Sequence, residues 1–110
     1  MAEPTAVAQL RIEREHTATA VVLALHGELD LASTPLLERQ MLEAQSDGSD
    51  RLVIDLSGLE FIDSSGLHAL LRADERASEN RHQLSLVRGP RAVHRVFELT
   101  STVQAFSFDG

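Results

Sequence analysis

Strand-like and helix-like stretches take turns along most of these 110 residues, after an opening pair of strand patterns. No other feature limits the fold as much. Strands interleaved with helices pack as α/β layers, with helices covering a mixed sheet. Gln9 to Glu15 alternates apolar and polar at Leu10 and Ile12, which gives a strand with one buried face. Ala18 to Leu25 is a continuous apolar run suited to a strand buried on both faces, although periodicity alone does not separate it from a helix. His16 and Thr17 make a tight hairpin between them, and His26-Gly27 ends the run. Ser33 or Thr34 followed by Pro35 starts a helix, because proline is tolerated at the first helical position. Leu36, Leu37, Met41, Leu42 and Ala44 then recur at helical spacing, with Glu38, Arg39, Glu43 and Gln45 opposite.

Ser46 to Asp50 is a loop by composition, and Arg51 to Leu56 a short apolar strand. Ser57 to Phe61 turns. From Leu67 the pattern is helical, with Leu67, Leu70, Leu71 and Ala77 inward and Arg72, Glu75, Arg76 and Glu79 outward. Asn80-Arg81-His82 ends it. Leu84, Leu86 and Val87 form another strand. Gly89-Pro90 breaks that strand and starts a third helix, with Val93, Val96, Phe97 and Leu99 on one stripe. A last short strand lies near Val103 to Phe108. The expected architecture is one α/β domain over residues 9–110, with four to five strands in a mixed central sheet. Residues 1–8 are expected to be an N-terminal tail.

Bulk properties exclude several functions. Hydrophobic residues make up 43% of the chain, enough for a core. Cysteine is absent, so disulfides and thiolate zinc sites are ruled out. The formal net charge is −7, from 17 acidic and 10 basic residues. Nucleic-acid binding needs a clustered cationic face, and anionic membranes repel such a chain equally. A protein partner with a basic face is the natural mate. Met1 to Val7 holds Glu3 and Pro4 and no basic segment, so it does not read as a signal peptide. No apolar stretch approaches the ~20 residues of a membrane span. A cytoplasmic protein is expected.

The informative stretch is Val53 to Leu71, VIDLSGLEFIDSSGLHALL. A buried strand turns, and two serines stand where a helix begins. Ser64 or Ser65 can cap that helix, a role worth ~1 kcal/mol and sufficient for most serines so placed. Two details point further. Asp63 precedes the serines, so the cap has too many candidates. Gly66 falls in the first turn, where glycine costs helix stability but lets another molecule approach the backbone. A phosphate on Ser64 would meet the positive end of the helix, with amides to hold it. It would add roughly −1.5 to −2 charges beside Asp63.

Three segments carry a resemblance. They are Gly27-Glu28-Leu29-Asp30, Val53 to Leu67 with its DSSG element, and Val96-Phe97-Glu98-Leu99-Thr100. In this order and spacing they resemble the STAS-domain family of anti-sigma factor antagonists, from about Leu10 to Phe108. The resemblance implies a single STAS-like domain and a partner-switching mechanism. The unphosphorylated protein binds an anti-sigma factor that is also a serine kinase, and so frees a sigma factor. The kinase phosphorylates the serine after the Asp, here Ser64, and binding is lost. A PP2C-type phosphatase resets the protein. The implied partner-binding residues are Asp63, Ser64, Ser65, Gly66 and His68, with Gly27, Glu28 and Asp30 shaping the neighbouring surface. Asp63 would orient the Ser64 hydroxyl. His68 stands where many members have a small residue. It lies one turn above Ser64, where it is either an exposed polar residue or a cation that steadies the phosphate. No cofactor or metal is implied, and a monomer or weak dimer is expected.

Enzyme readings fit poorly. A nucleophile elbow needs glycines two positions before and after the serine. Ser64 has Ile62 and Gly66 there, and Ser65 has Asp63 and Leu67. His16, His26, His68, His82 and His94 show no short metal-ligand spacing, and Gly-rich phosphate loops are absent. His26 is expected at a strand end and His94 at the surface or boundary of the third helix. The alternative is a non-phosphorylated STAS scaffold or a ligand-binding regulatory module.

Overall fold

The computed structural model describes residues 3–7 and 9–109. Its strands are β1 (Glu3–Val7), β2 (Leu10–His16), β3 (Val21–Leu29), β4 (Arg51–Ile62), β5 (Gln83–Val87) and β6 (Ser107–Phe108). Its helices are α1 (Thr34–Ser46), α2 (Ser64–Glu79) and α3 (Arg91–Leu99), with a 3-10 turn at Val103–Ala105. The strands lie in the sheet in chain order. β1, β2 and β3 pair antiparallel, while β3, β4, β5 and β6 pair parallel.

Register aligns the apolar positions. Val21, Leu52 and Leu84 form one row across three strands, and Leu23, Ile54 and Leu86 the next. All six are buried. The intervening row of Val22 and Val53 is only half-buried, so the apolar run at 21–25 has one covered face, not the two its composition suggested. Leu36, Leu37, Met41 and Ala44 of α1 are buried, as are Leu67, Ala69, Leu70, Ala73 and Ala77 of α2. Val93 and Phe97 of α3 join the same core.

Several elements differ from expectation. The sheet has six strands instead of four to five, because Glu3–Val7, inside the segment expected as a tail, pairs with β2. Pro4 is compatible with this place, since β1 is an edge strand and needs fewer ladder donors. The hairpin spans four residues, closed by the Thr17 amide donating to the Ala20 carbonyl at 2.9 Å. β3 runs through His26-Gly27 to Leu29, and β4 runs through the expected turn to Ile62. The register between them shifts at Ala24/His26 and again at Gly27/Glu28. Each shift puts an extra residue into β4, and bulges of this kind let a strand continue through turn-like sequence. At the first, the Ser57 amide donates to Asp55 Oδ1 at 2.9 Å. The last segment is a 3-10 turn and a two-residue strand. Leu99 is 71% exposed and leaves the α3 stripe. His26 lies within β3. His94 is buried, packed edge-on to Phe108 and stacked on Phe97.

Candidate functional site

β3 and β4 are parallel neighbours, so the loops leaving them emerge side by side at one end of the sheet. Glu28 pairs with Phe61 and Leu29 with Ile62. The Asp63 amide then donates to the Leu29 carbonyl at 3.1 Å. This places Glu28 to Asp30 against Asp63 to Ser65. α2 begins at once. Asp63 has an extended backbone, and its Oδ1 accepts from the amides of Ser65 at 2.9 Å and Gly66 at 3.2 Å. The cap is therefore Asp63, not either serine, and the helix starts a turn earlier than the apolar pattern indicated.

Ser64 is the first helical residue and is exposed. Its hydroxyl makes no hydrogen bond among the described residues. Ser65 is half-buried, and His68 is exposed one turn on. Asp63 already engages the amides of Ser65 and Gly66, two of those the sequence left open at this helix start. Gly66 is buried. A Cβ on it would come within 2.6 Å of Leu29 Cγ and 3.2 Å of Ile62 Cγ1. The missing side chain lets α2 sit closely on β3 and β4.

The GELD segment divides. Gly27 has φ +99 and lies against the Gln9 backbone, where any Cβ would collide with the Gln9 carbonyl. It fixes β3 to the chain entering β2. Asp30 turns inward. Its Oδ1 accepts from the Ser33 amide and the Ser33 hydroxyl, each at 3.1 Å, and its carbonyl accepts from Thr34 Oγ1 at 2.7 Å. It builds the entry to α1. Glu28 is exposed and stands with Ser64 at the surface.

Two apolar residues at this end escaped the sequence analysis. Phe61 is 48% exposed and Leu31 75%. Phe61 falls in the stretch expected to turn, which is strand. The second register shift turns it outward. Leu31 sits in a polar loop, where a lone leucine was the available signal. Among the described residues no cluster of three His, Asp or Glu side chains could hold a metal ion, and no helix is long and apolar enough to cross a membrane.

A mixed sheet in chain order, with a capped helix presenting an exposed serine at a strand-to-helix junction, defines a class of small α/β domain. Residues 12–103 match the family model described as Mlab, STAS domain, and the chain belongs to that family. It is 34% identical over 96 residues to the anti-sigma-F factor antagonist RsfB of Mycobacterium tuberculosis, covering 84% of this chain and 77% of RsfB. The crystal structure of an anti-sigma factor antagonist from Mycobacterium paratuberculosis superposes with a TM-score of 0.82 at 28% identity, over 90% of this chain and 84% of that one. SpoIIAA of Bacillus shares the fold in two states. Its unphosphorylated form gives a TM-score of 0.76 at 21% identity, over 90% and 88% of the two chains. Its phosphorylated form gives 0.69 at 20%, over 90% and 91%.

Proposed function

We propose that this chain is an anti-sigma factor antagonist that switches partners when Ser64 is phosphorylated. One observation carries the reading: Ser64 is the exposed first residue of α2, and Asp63 does its capping for it. A helix-start serine with no structural duty suits a modification site. The unphosphorylated chain binds an anti-sigma factor with serine kinase activity in the cytoplasm and frees the sigma factor. The kinase transfers the phosphoryl group of ATP to the Ser64 hydroxyl. A PP2C-type phosphatase removes it. The chain acts as a binding protein, not as a catalyst.

Phe61 and Leu31 supply apolar anchors beside the serine, and Glu28 and Asp63 supply negative charge. A phosphate there adds like charge at a surface that must lose water on docking. An interface weakened by several kcal/mol releases its partner a hundredfold or more, at ~1.4 kcal/mol per tenfold. His68, exposed one turn above, would steady the phosphate as a cation.

The test is incubation with the anti-sigma kinases of the source genome and ATP, followed by mapping of phosphate by mass spectrometry. Partner affinity is compared for wild type, Ser64→Ala, Ser64→Glu and Phe61→Ser. Phosphate on Ser64, tight binding by Ser64→Ala, and weak binding by Ser64→Glu and Phe61→Ser are expected. Absence of phosphate together with equal binding by all four proteins overturns the reading and leaves a scaffold or ligand-binding module.

A further inference from the structure

The loop from β5 into α3, with the first turns of α3, carries Arg88, Arg91 and Arg95. With Gly89, His94 and Glu98 they line a cleft of about 430 Å³. All three arginines are exposed, and none has a carboxylate within ion-pair distance among the described residues. Arg11, Arg14, Arg51 and Arg72 each hold one. In a chain of net charge −7, three guanidinium groups left together around one cleft are an unbalanced feature. Glu98 is the one carboxylate lining it, which leaves an excess of two positive charges. The start of α3 opens on the same place. Pro90 is its N-cap and offers no side-chain hydrogen bond, and no acidic residue lies in the first turn. The free amides and the positive end of the helix add to the field.

His94 gives a second, independent sign. It lines the cleft, is 7% exposed, and its Nδ1 is buried without a hydrogen-bond partner among the described residues. Buried polar atoms are ordinarily paired, so an unpaired one beside a cleft marks a place where a ligand atom would be stabilising. The cleft also lies beyond the carboxyl end of a parallel strand, where open α/β sheets take their ligands.

We propose that this cleft binds the phosphate group of a small ligand. A phosphate dianion matches the excess of two charges, and guanidinium forks match the edges of a tetrahedral oxyanion. The volume falls within the range of about 300–1,000 Å³ usual for small-ligand sites and exceeds that of phosphate alone. The remainder of the ligand therefore has room.

The test is titration of the full chain with inorganic phosphate and then pyrophosphate, with chloride at matched ionic strength as control. NMR follows the backbone amides and the His94 ring. Saturable shifts at Arg91, Ala92, Val93 and His94 are expected, weakened at least about tenfold in Arg91→Ala and in Arg95→Ala. Both side chains are exposed, and an unchanged spectrum elsewhere verifies that the variants fold. Shifts that never saturate, that fall elsewhere, or that persist undiminished in both variants overturn the proposal. Such a failure does not touch the Ser64 reading, which is measured by partner binding.

Discussion

Asp63 holds the amides of Ser65 and Gly66, and this leaves Ser64 with no structural task. The two residues should separate cleanly in experiment. Asp63→Ala is expected to cost about 1 kcal/mol of stability through loss of the cap. Ser64→Ala should stay within about 0.5 kcal/mol, as surface substitutions do. Urea denaturation of both variants measures the difference, and an equal loss in the two would contradict the assignment of the cap. Gly66 offers a sharper case. In an exposed helix, Gly→Ala stabilises by nearly 1 kcal/mol. Here the new methyl meets Leu29 at 2.6 Å, so Gly66→Ala should destabilise by about 1–3 kcal/mol. The sequence placed the junction correctly because Asp-Ser-Ser-Gly is concentrated helix-start chemistry. It left the division of labour open, because Asp and Ser are equally good caps and only the Asp63 backbone geometry decides between them.

The elements repeat this pattern at a larger scale. Alternation of strand and helix was legible, since Leu, Val and Ile recur at two distinct periods along the chain. What stayed hidden were the two register shifts in β4, where Ser57 to Phe61 resembles a turn and is strand. A bulge is a tertiary solution, set by pairing with β3, and leaves little mark in local composition. The end of α3 shows the same limit. Phe97 and Leu99 both fit an apolar stripe. Phe97 is fully buried, edge-on to Phe106 and Phe108 at 5.6 Å, whereas Leu99 is 71% exposed. Phe97→Ala is expected to cost about 3–5 kcal/mol. Leu99→Ala should cost less than about 0.5 kcal/mol. Thermal or urea unfolding of the pair checks this, and a comparable loss at both positions would count against the packing.

The whole molecule is polarised, with the Ser64 junction at one end of the sheet and a polar cavity at the other. That cavity, of about 470 Å³, is lined by Arg51, Asp74, His82, Ser85 and Asp109 among others. Burial pushes the Asp74 carboxyl above its ordinary value of 3.8, and the neighbouring Glu75 charge adds to the rise. The folded state then binds this proton more tightly than the unfolded one. Stability contributed here falls as pH climbs above 3.8, and the cost is complete once pH exceeds the raised value. Asp74→Asn should therefore raise the Tm at neutral pH, with the gain vanishing below the ordinary carboxylate value. A gain that is the same at pH 3 and pH 7 would show that ionisation is not its source.

The order of the sheet has a consequence for how the chain is made. From β2 onward, each strand pairs with the strand that left the ribosome immediately before it. Among the described residues no strand pairs across an intervening strand, so the sheet can grow by addition at one edge as synthesis proceeds. Each parallel pairing closes a crossover through one intervening element, but none must wait for a strand beyond its next neighbour in the chain. A nascent chain of this design keeps its apolar strands unpaired only briefly, which limits the time in which they are open to aggregation.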